Sequence, residues 1–333
     1  MTKIDYIWRE LENDDSSHAG IIYKRYSISV ISDVFVAIRA PEKLRCIAAR
    51  ILKGNSPDVV KWNKLKDIKV EIIDDDSNPA KCYLLILILN LQHKDIFSVL
   101  CEDLISQVAS IVVENTLIKE LLNRLTKWQT LFEKLAQPGL SPESQRGLFG
   151  ELYFLRKFLS INTENDKCIN SWQGPSNSAQ DFQYGSWALE VKTTHGNNHQ
   201  KIQISSERQL DIHNLDNLIL YHLSLESRLH SGETLNQIVD SIYEFLGSDY
   251  SSLNCFKLKL FEAGYFDQHR HLYENTGYFI RQDIYYKVEN HFPRIEESDI
   301  RDGVGDVKYS IIVSLCQNYN IYETEVFQII SFL

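Results

Sequence analysis

The stretch that decides the reading is Asp181-Phe182-Gln183-Tyr184-Gly185-Ser186-Trp187-Ala188-Leu189-Glu190-Val191-Lys192-Thr193-Thr194. Residues 187–193 alternate in the manner of a β-strand. Trp187, Leu189 and Val191 face one side; Ala188, Glu190 and Lys192 face the other. Gly185-Ser186 suits a two-residue hairpin turn with glycine in its first central position. That register pairs Tyr184 with Trp187 and, counted back, Asp181 with Glu190. Directly opposed residues have Cβ atoms ~5 Å apart. Two carboxylates that close repel, and one takes up a proton unless a cation lies between them. Mg²⁺, a hard ion that takes oxygen ligands and keeps several waters, meets that need. Lys192 then stands beside a metal-bound water. The plainer alternative is a solvated strand face with a cross-strand ion pair.

The preceding helix adds a third acid. Ser141 suits its N-cap, Pro142 its first position and Glu143 the positive end of its dipole. It runs to about Ser160. Leu148, Leu152, Leu155 and Leu159 form an apolar stripe, and Glu151 falls three residues after the first and four before the third. Glu151 therefore points to the buried side, where a bare carboxylate is costly. It serves a site or pairs with a cation such as Arg146 or Arg156. Gly147 and Gly150 allow this helix to lie close against a sheet.

Upstream, residues 3–12 read as a helix, and 26–38, 69–73 and 82–90 as strands. Residues 95–135 turn helical, with apolar side chains at helical spacing. Gln137-Pro138-Gly139 is a strong break, so the expected domains are 1–137 and 138–333. After the hairpin, strands run to Ser205. A helix is expected at 206–213, a strand at 218–224, a helix at 235–246, and late strands at 277–290 and 306–316.

The chain's 333 residues, 44% hydrophobic and 11% aromatic, are too apolar for disorder and long enough for two domains. The net charge of −10 is almost all C-terminal: residues 211–333 carry 9 basic and 19 acidic side chains. Coating nucleic acid by bulk charge is excluded; a local groove is not. Six scattered cysteines form no C-x-x-C, so they read as small core residues of a reducing compartment. The N-terminus carries no apolar leader, and the apolar run at 83–91 is far shorter than the ~20 residues that span a bilayer. The chain reads as soluble and cytoplasmic, with no membrane partner. It has no phosphate-binding loop and no nucleophile elbow.

A helix with an inward Glu151, followed by a hairpin carrying Asp181, Glu190 and Lys192, resembles the PD-(D/E)XK nuclease superfamily. Further landmarks resemble the bacterial PD-(D/E)XK members of restriction and phage-defence loci. They are GLFGELYFL (147–155), Trp172-Gln173-Gly174-Pro175, Asp181, Glu190-Val191-Lys192-Thr193, Gly277-Tyr278, Phe292-Pro293-Arg294-Ile295, Gly303-Val304 and the strand at Tyr309. Gln180 stands where the superfamily name has proline.

The resemblance implies an α/β fold with a restriction-endonuclease-like core, a mixed sheet flanked by helices. An N-terminal β-plus-helix region would precede it and a C-terminal mixed extension follow. It implies metal-dependent hydrolysis of DNA with Mg²⁺ or Mn²⁺. Asp181 and Glu190 would hold metal, Glu151 would be a further ligand or proton acceptor, and Lys192 would orient the water. Methyltransferase or ATPase partners are implied by such loci, and cutting both strands favours a homodimer. The alternatives are a non-catalytic DNA-binding or assembly subunit that keeps the fold, and a nuclease of RNA.

Other polar residues are weighed more lightly. Gln203, Ser205 and Ser206 follow the next strand and read as surface before site. Lys201 and Arg208 are single basic residues in reach of phosphates. His195 and His199 flank a Gly196-Asn197-Asn198 turn. His269 and His271 lack partners at zinc-like spacing. Trp172 with Gly174-Pro175 reads as a packing and turn element, and Arg294 as the partner of an internal carboxylate.

Overall fold

The computed structural model describes residues 3–13, 20–60, 62, 67–90, 93–135, 138–176, 178–195, 201–289 and 291–330. Gln137, the Gly196-Asn197-Asn198 turn and His199 lie outside the described residues. The chain is a mixed α/β protein with several sheets, and it divides into two compact units, Met1–Gln137 and Pro138–Leu333. Among the described residues, no helix is long and apolar enough to cross a membrane.

In the first unit, α1 (Lys3–Glu12) precedes five strands: β1 (Gly20–Lys24), β2 (Val34–Ala40), β3 (Leu44–Leu52), β4 (Ile68–Asp74) and β5 (Lys81–Ile88). They form an antiparallel sheet in the order β1-β2-β3-β5-β4. The near-continuous apolar run of β5 is buried from Cys82 onward, as befits an interior strand. The strand expected at 26–38 begins only at Val34. Before it, the Arg25 guanidinium holds the chain in a loop through the carbonyls of Val30 (3.0 Å) and Ser32 (3.2 Å). The helical stretch expected at 95–135 is two helices, α2 (Lys94–Val108) and α3 (Glu114–Leu135). They part where Ile111, Val112 and Val113 place three β-branched residues in succession.

In the second unit, α4 (Pro142–Ile161) begins as its sequence requires: Ser141 Oγ accepts from the Ser144 N–H at 3.1 Å, with Pro142 in the first turn. Then come α5 (Asn165–Ser171), β6 (Phe182–Tyr184), β7 (Trp187–His195), β8 (Lys201–Ile204), β9 (Asn217–Leu229), β10 (Glu233–Thr234) and α6 (Leu235–Leu246). They are followed by α7 (Tyr250–Glu262), β11 (Thr276–Val288), β12 (Tyr309–Ile312), β13 (Asn320–Ile321) and α8 (Glu323–Ile329). The main sheet runs β10-β11-β9-β7-β6, with β13 also on β11. Only β7 and β9 among these strands pair in parallel, which makes the sheet mixed. The helix expected at 206–213 is a single 3-10 turn, Glu207–Leu210.

The two faces are covered differently. Trp187, Leu189 and Val191 join one core with Leu148, Leu152 and Leu155 of α4, Ile238 and Ile242 of α6, and Phe256 of α7. Ala188 joins the other core with Leu218, Leu220, Tyr286, Ile202, Ile204 and Ile311. Helices thus cover one face. The other is covered by β8 and β12, which pair as a separate two-stranded sheet. The strand's alternation is the sorting rule: the odd positions meet helices, and Ala188, at an even position, meets that small sheet.

Candidate active site

The hairpin register is the one the turn dictates. Tyr184 pairs with Trp187 and Phe182 with Leu189 across Gly185, whose φ is +56°. The ladder stops there, one residue short of the expected Asp181–Glu190 pair. The Asp181 carbonyl points away from β7 and accepts from the N–H groups of Gln173 (2.6 Å) and Gly174 (2.9 Å). Its side chain takes over at β7, with Oδ2 accepting from the Val191 N–H at 2.8 Å. Asp181 is therefore fixed beside β7 by three backbone donors.

Glu190 and Lys192 project from the even face of β7. Glu190 is 1% exposed, and neither carboxylate oxygen accepts a well-aligned hydrogen bond. The Lys192 ammonium lies 2.7 Å from Glu190 Oε1. A solvated strand face with a surface ion pair does not describe this geometry. Burial, then the Asp181 charge, pushes the Glu190 carboxyl up to about 8, with Lys192 and the Asp181 main-chain N–H pulling the other way. Burial also raises Asp181, against the Lys192 charge and the Val191 N–H. For Lys192, burial favours the neutral amine, but Glu190 and then Asp181 overcome it and its affinity for a proton rises.

Helix α4 brings the third acid. Glu151 Oε2 accepts from the Trp172 indole N–H at 2.7 Å. Burial, then Asp181, holds the Glu151 carboxyl well above the usual carboxylate range. Neither arginine expected as its alternative partner is bonded to it: Arg156 makes a two-pronged pair with Glu233, Nη2 to Oε2 at 2.9 Å. The acids crowd against Gly174. A Cβ there would lie 2.5 Å from Glu151 Oε2 and 2.9 Å from Asp181 Oδ1. Only a residue without a side chain leaves that space to the carboxylates. Gly150 serves the helix similarly, since its Cβ would collide with the Thr193 methyl and lie 3.3 Å from Val191 Cγ1. Gly147 does not: nothing lies within 4 Å of its Cβ position.

Trp172 and Gly174 were read from sequence as a packing and turn element and not as neighbours of the acids. The signal for the first was available, because a buried indole N–H needs an acceptor. The lesser candidates stay outside. Gln203 is exposed and accepts from Ser310 across the β8–β12 pair at 3.1 Å. The Ser205 N–H is taken by Gln209 at 2.8 Å. Lys201 is exposed, and Arg208 lies 3.7 Å from Glu297. His195 is exposed at the end of β7, and His269 packs edge-on against Phe266. Arg294 holds Glu296 at 2.6 Å, as its sequence setting suggested.

A family model described as "Putative PD-(D/E)XK family member" (DUF4420) matches residues 4–314. The chain belongs to this family. Searches of curated proteins and of solved structures return no match. The PD-(D/E)XK family implies a divalent metal, and the residues can be tested for one. Among the described residues, no three His, Cys, Asp or Glu side chains gather into a metal-ligating group. Glu151 Oε2 is engaged by the Trp172 indole N–H. Yet Mg²⁺ keeps most of its waters and needs only one or two carboxylates. Asp181 and the two under-used oxygens of Glu190 supply hard oxygen donors of that kind.

Proposed function

We propose that the chain is a metal-dependent endonuclease that hydrolyses DNA phosphodiester bonds, with residues 138–333 as its nuclease region and a restriction-endonuclease-like core. The observation that carries the reading is three carboxylates packed around one lysine, Glu190 with no well-aligned hydrogen bond to either oxygen, in a PD-(D/E)XK family chain. Carboxyls with raised pKa values gathered around a charged partner are a signature of chemistry more than of stability.

Asp181 and Glu190 would hold Mg²⁺ or Mn²⁺, with Glu151 as a further ligand or proton acceptor. Bound there, the cation would supply charge for the phosphate and acidity for a water. The rest is the protein's own work. Lys192 orients the attacking water and donates to a phosphoryl oxygen as charge builds on it. Glu151, held above the usual carboxylate range, is suited to take the proton that the water gives up. The water oxygen bonds to phosphorus, the bond to the leaving sugar oxygen breaks, and that oxygen takes up a proton. Glu190 forms the floor, while Glu151, Asp181 and Lys192 are partly exposed and face the approaching backbone.

The second reading, a non-catalytic DNA-binding or assembly subunit of a defence system, is favoured by the acidic residues 211–333, which suit a protein partner better than DNA. The test is nicking of supercoiled plasmid and cutting of single-stranded DNA with Mg²⁺, Mn²⁺ or chelator. Metal-dependent cleavage lost in Lys192→Ala supports the nuclease. No cleavage together with no Mn²⁺ uptake points to the second reading, whereas Mn²⁺ uptake without cleavage points to an enzyme that needs a partner protein or a modified target.

A further inference from the structure

The turn at Trp172–Gly174 touches both outer acids at once. The Trp172 indole N–H binds Glu151 Oε2, and the main-chain N–H groups of Gln173 and Gly174 bind the Asp181 carbonyl. This turn is held in turn from α7. Phe256 lies against the Trp172 ring, with centroids 6.1 Å apart, and the Lys259 ammonium donates to the Trp172 carbonyl. Residues three apart share a helix face, so both contacts come from one face of α7. Lys259 is only 7% exposed, and its acceptor is a neutral carbonyl. Burying an ammonium in that way is costly unless its position is needed.

We propose that Lys259 and Trp172 are positioning residues of the candidate site: α7 clamps the Trp172 turn so that the indole fixes Glu151 beside Asp181. The site's metal-ligand reading is a premise for the second half of the test but not for the first. Groups of this kind, which orient the acids without touching a ligand, typically change metal affinity 10- to 100-fold when removed.

Two measurements separate the outcomes. The first is the indole N–H spectrum of metal-free ¹⁵N-labelled protein, which has five tryptophans. Trp172 is the resonance lost in Trp172→Phe. It should move in Glu151→Gln and in Lys259→Met while the others stay, and Lys259→Arg, which keeps a cationic donor, should leave it near its wild-type place. The second is calorimetric Mn²⁺ titration, in which Lys259→Met should weaken binding roughly 10-fold and Lys259→Arg much less. An unmoved Trp172 resonance in Lys259→Met overturns the proposal, as does wild-type Mn²⁺ affinity in that variant. Absence of Mn²⁺ uptake by the wild type sinks the nuclease reading instead, and the indole resonance alone then decides the clamp. If Lys259→Met does not fold, Phe256→Leu removes the second contact of the same clamp and is read in the same way.

Discussion

Two buried glutamates, one in each unit, show how differently the same burial is used. Glu102 of α2 is 6% exposed and Glu190 of β7 is 1% exposed. Burial raises the pKa of both. Glu102 is met by the Tyr26 hydroxyl and, at 2.8 Å, by the Ile4 N–H, so it ties α1 to α2 and completes its own hydrogen bonds. Glu190 has the Lys192 ammonium 2.7 Å away, the Asp181 main-chain N–H and a second carboxylate beside it, yet neither of its oxygens meets a hydrogen bond of good geometry. A satisfied buried acid is a structural tie; an under-satisfied one marks a place built for something else.

The comparison breaks first on activity. Asp181→Ala and Lys192→Ala should each reduce plasmid nicking by roughly 10³-fold or more while the fold persists, whereas Glu102→Ala should leave the turnover of folded protein unchanged. Equal losses in both units, or full activity in Lys192→Ala, would erase the distinction. Stability should show the opposite ranking. Glu102→Ala leaves the Tyr26 hydroxyl and Ile4 N–H without their acceptor, at about 1–3 kcal/mol each, and should lower the melting temperature at every pH between 5 and 8.

Glu190→Gln should do the reverse in metal-free protein. The folded pKa of Glu190, about 8, exceeds its unfolded value of 4.5. The folded state therefore holds the extra proton, and stability falls as pH rises from the lower value through the higher. The substitution should raise the melting temperature by several degrees at pH 8, with the gain shrinking toward pH 5. Thermal melts in chelator across that range are the check, and a pH-independent difference would refute the assignment.

How much of this was legible depends on the range of the forces involved. Period-2 alternation fixed the two faces of β7, the Gly185-Ser186 turn fixed the hairpin register, and Ser141-Pro142 fixed the start of α4. All three are local. The ladder ends before the Asp181–Glu190 pair because a side chain intervenes: Asp181 Oδ2 takes the Val191 N–H, although the two acids still lie close enough for the Asp181 charge to act on Glu190. Gly174 carries no positive φ that would advertise it; it is required by carboxylates arriving from α4 and from the start of the hairpin. The break between α2 and α3 was readable from three β-branched residues in a row, but the helical spacing on either side concealed it.

Smaller effects sharpen the same point at the two glycines of α4. Gly150→Ala should destabilise by about 1–3 kcal/mol, since its methyl group would press on Thr193 and Val191 of the strand that carries Glu190 and Lys192. Gly147→Ala, with open space at its Cβ, should stabilise by about 0.5–1 kcal/mol through helix propensity alone. Denaturant melts of the two variants should therefore move in opposite directions.

The small β8–β12 sheet has a consequence for how the protein comes into being. It closes the face behind Ala188, on the strand that carries Glu190 and Lys192, and half of it is Tyr309–Ile312. That strand leaves the ribosome long after Trp187–His195 has emerged. Until then the even face of β7, which carries Glu190 and Lys192 beside Ala188, lacks half of its apolar cover. A chain that ends before Tyr309 would thus lack half of the sheet that covers Ala188, and the Glu190–Lys192 face would be left unfinished.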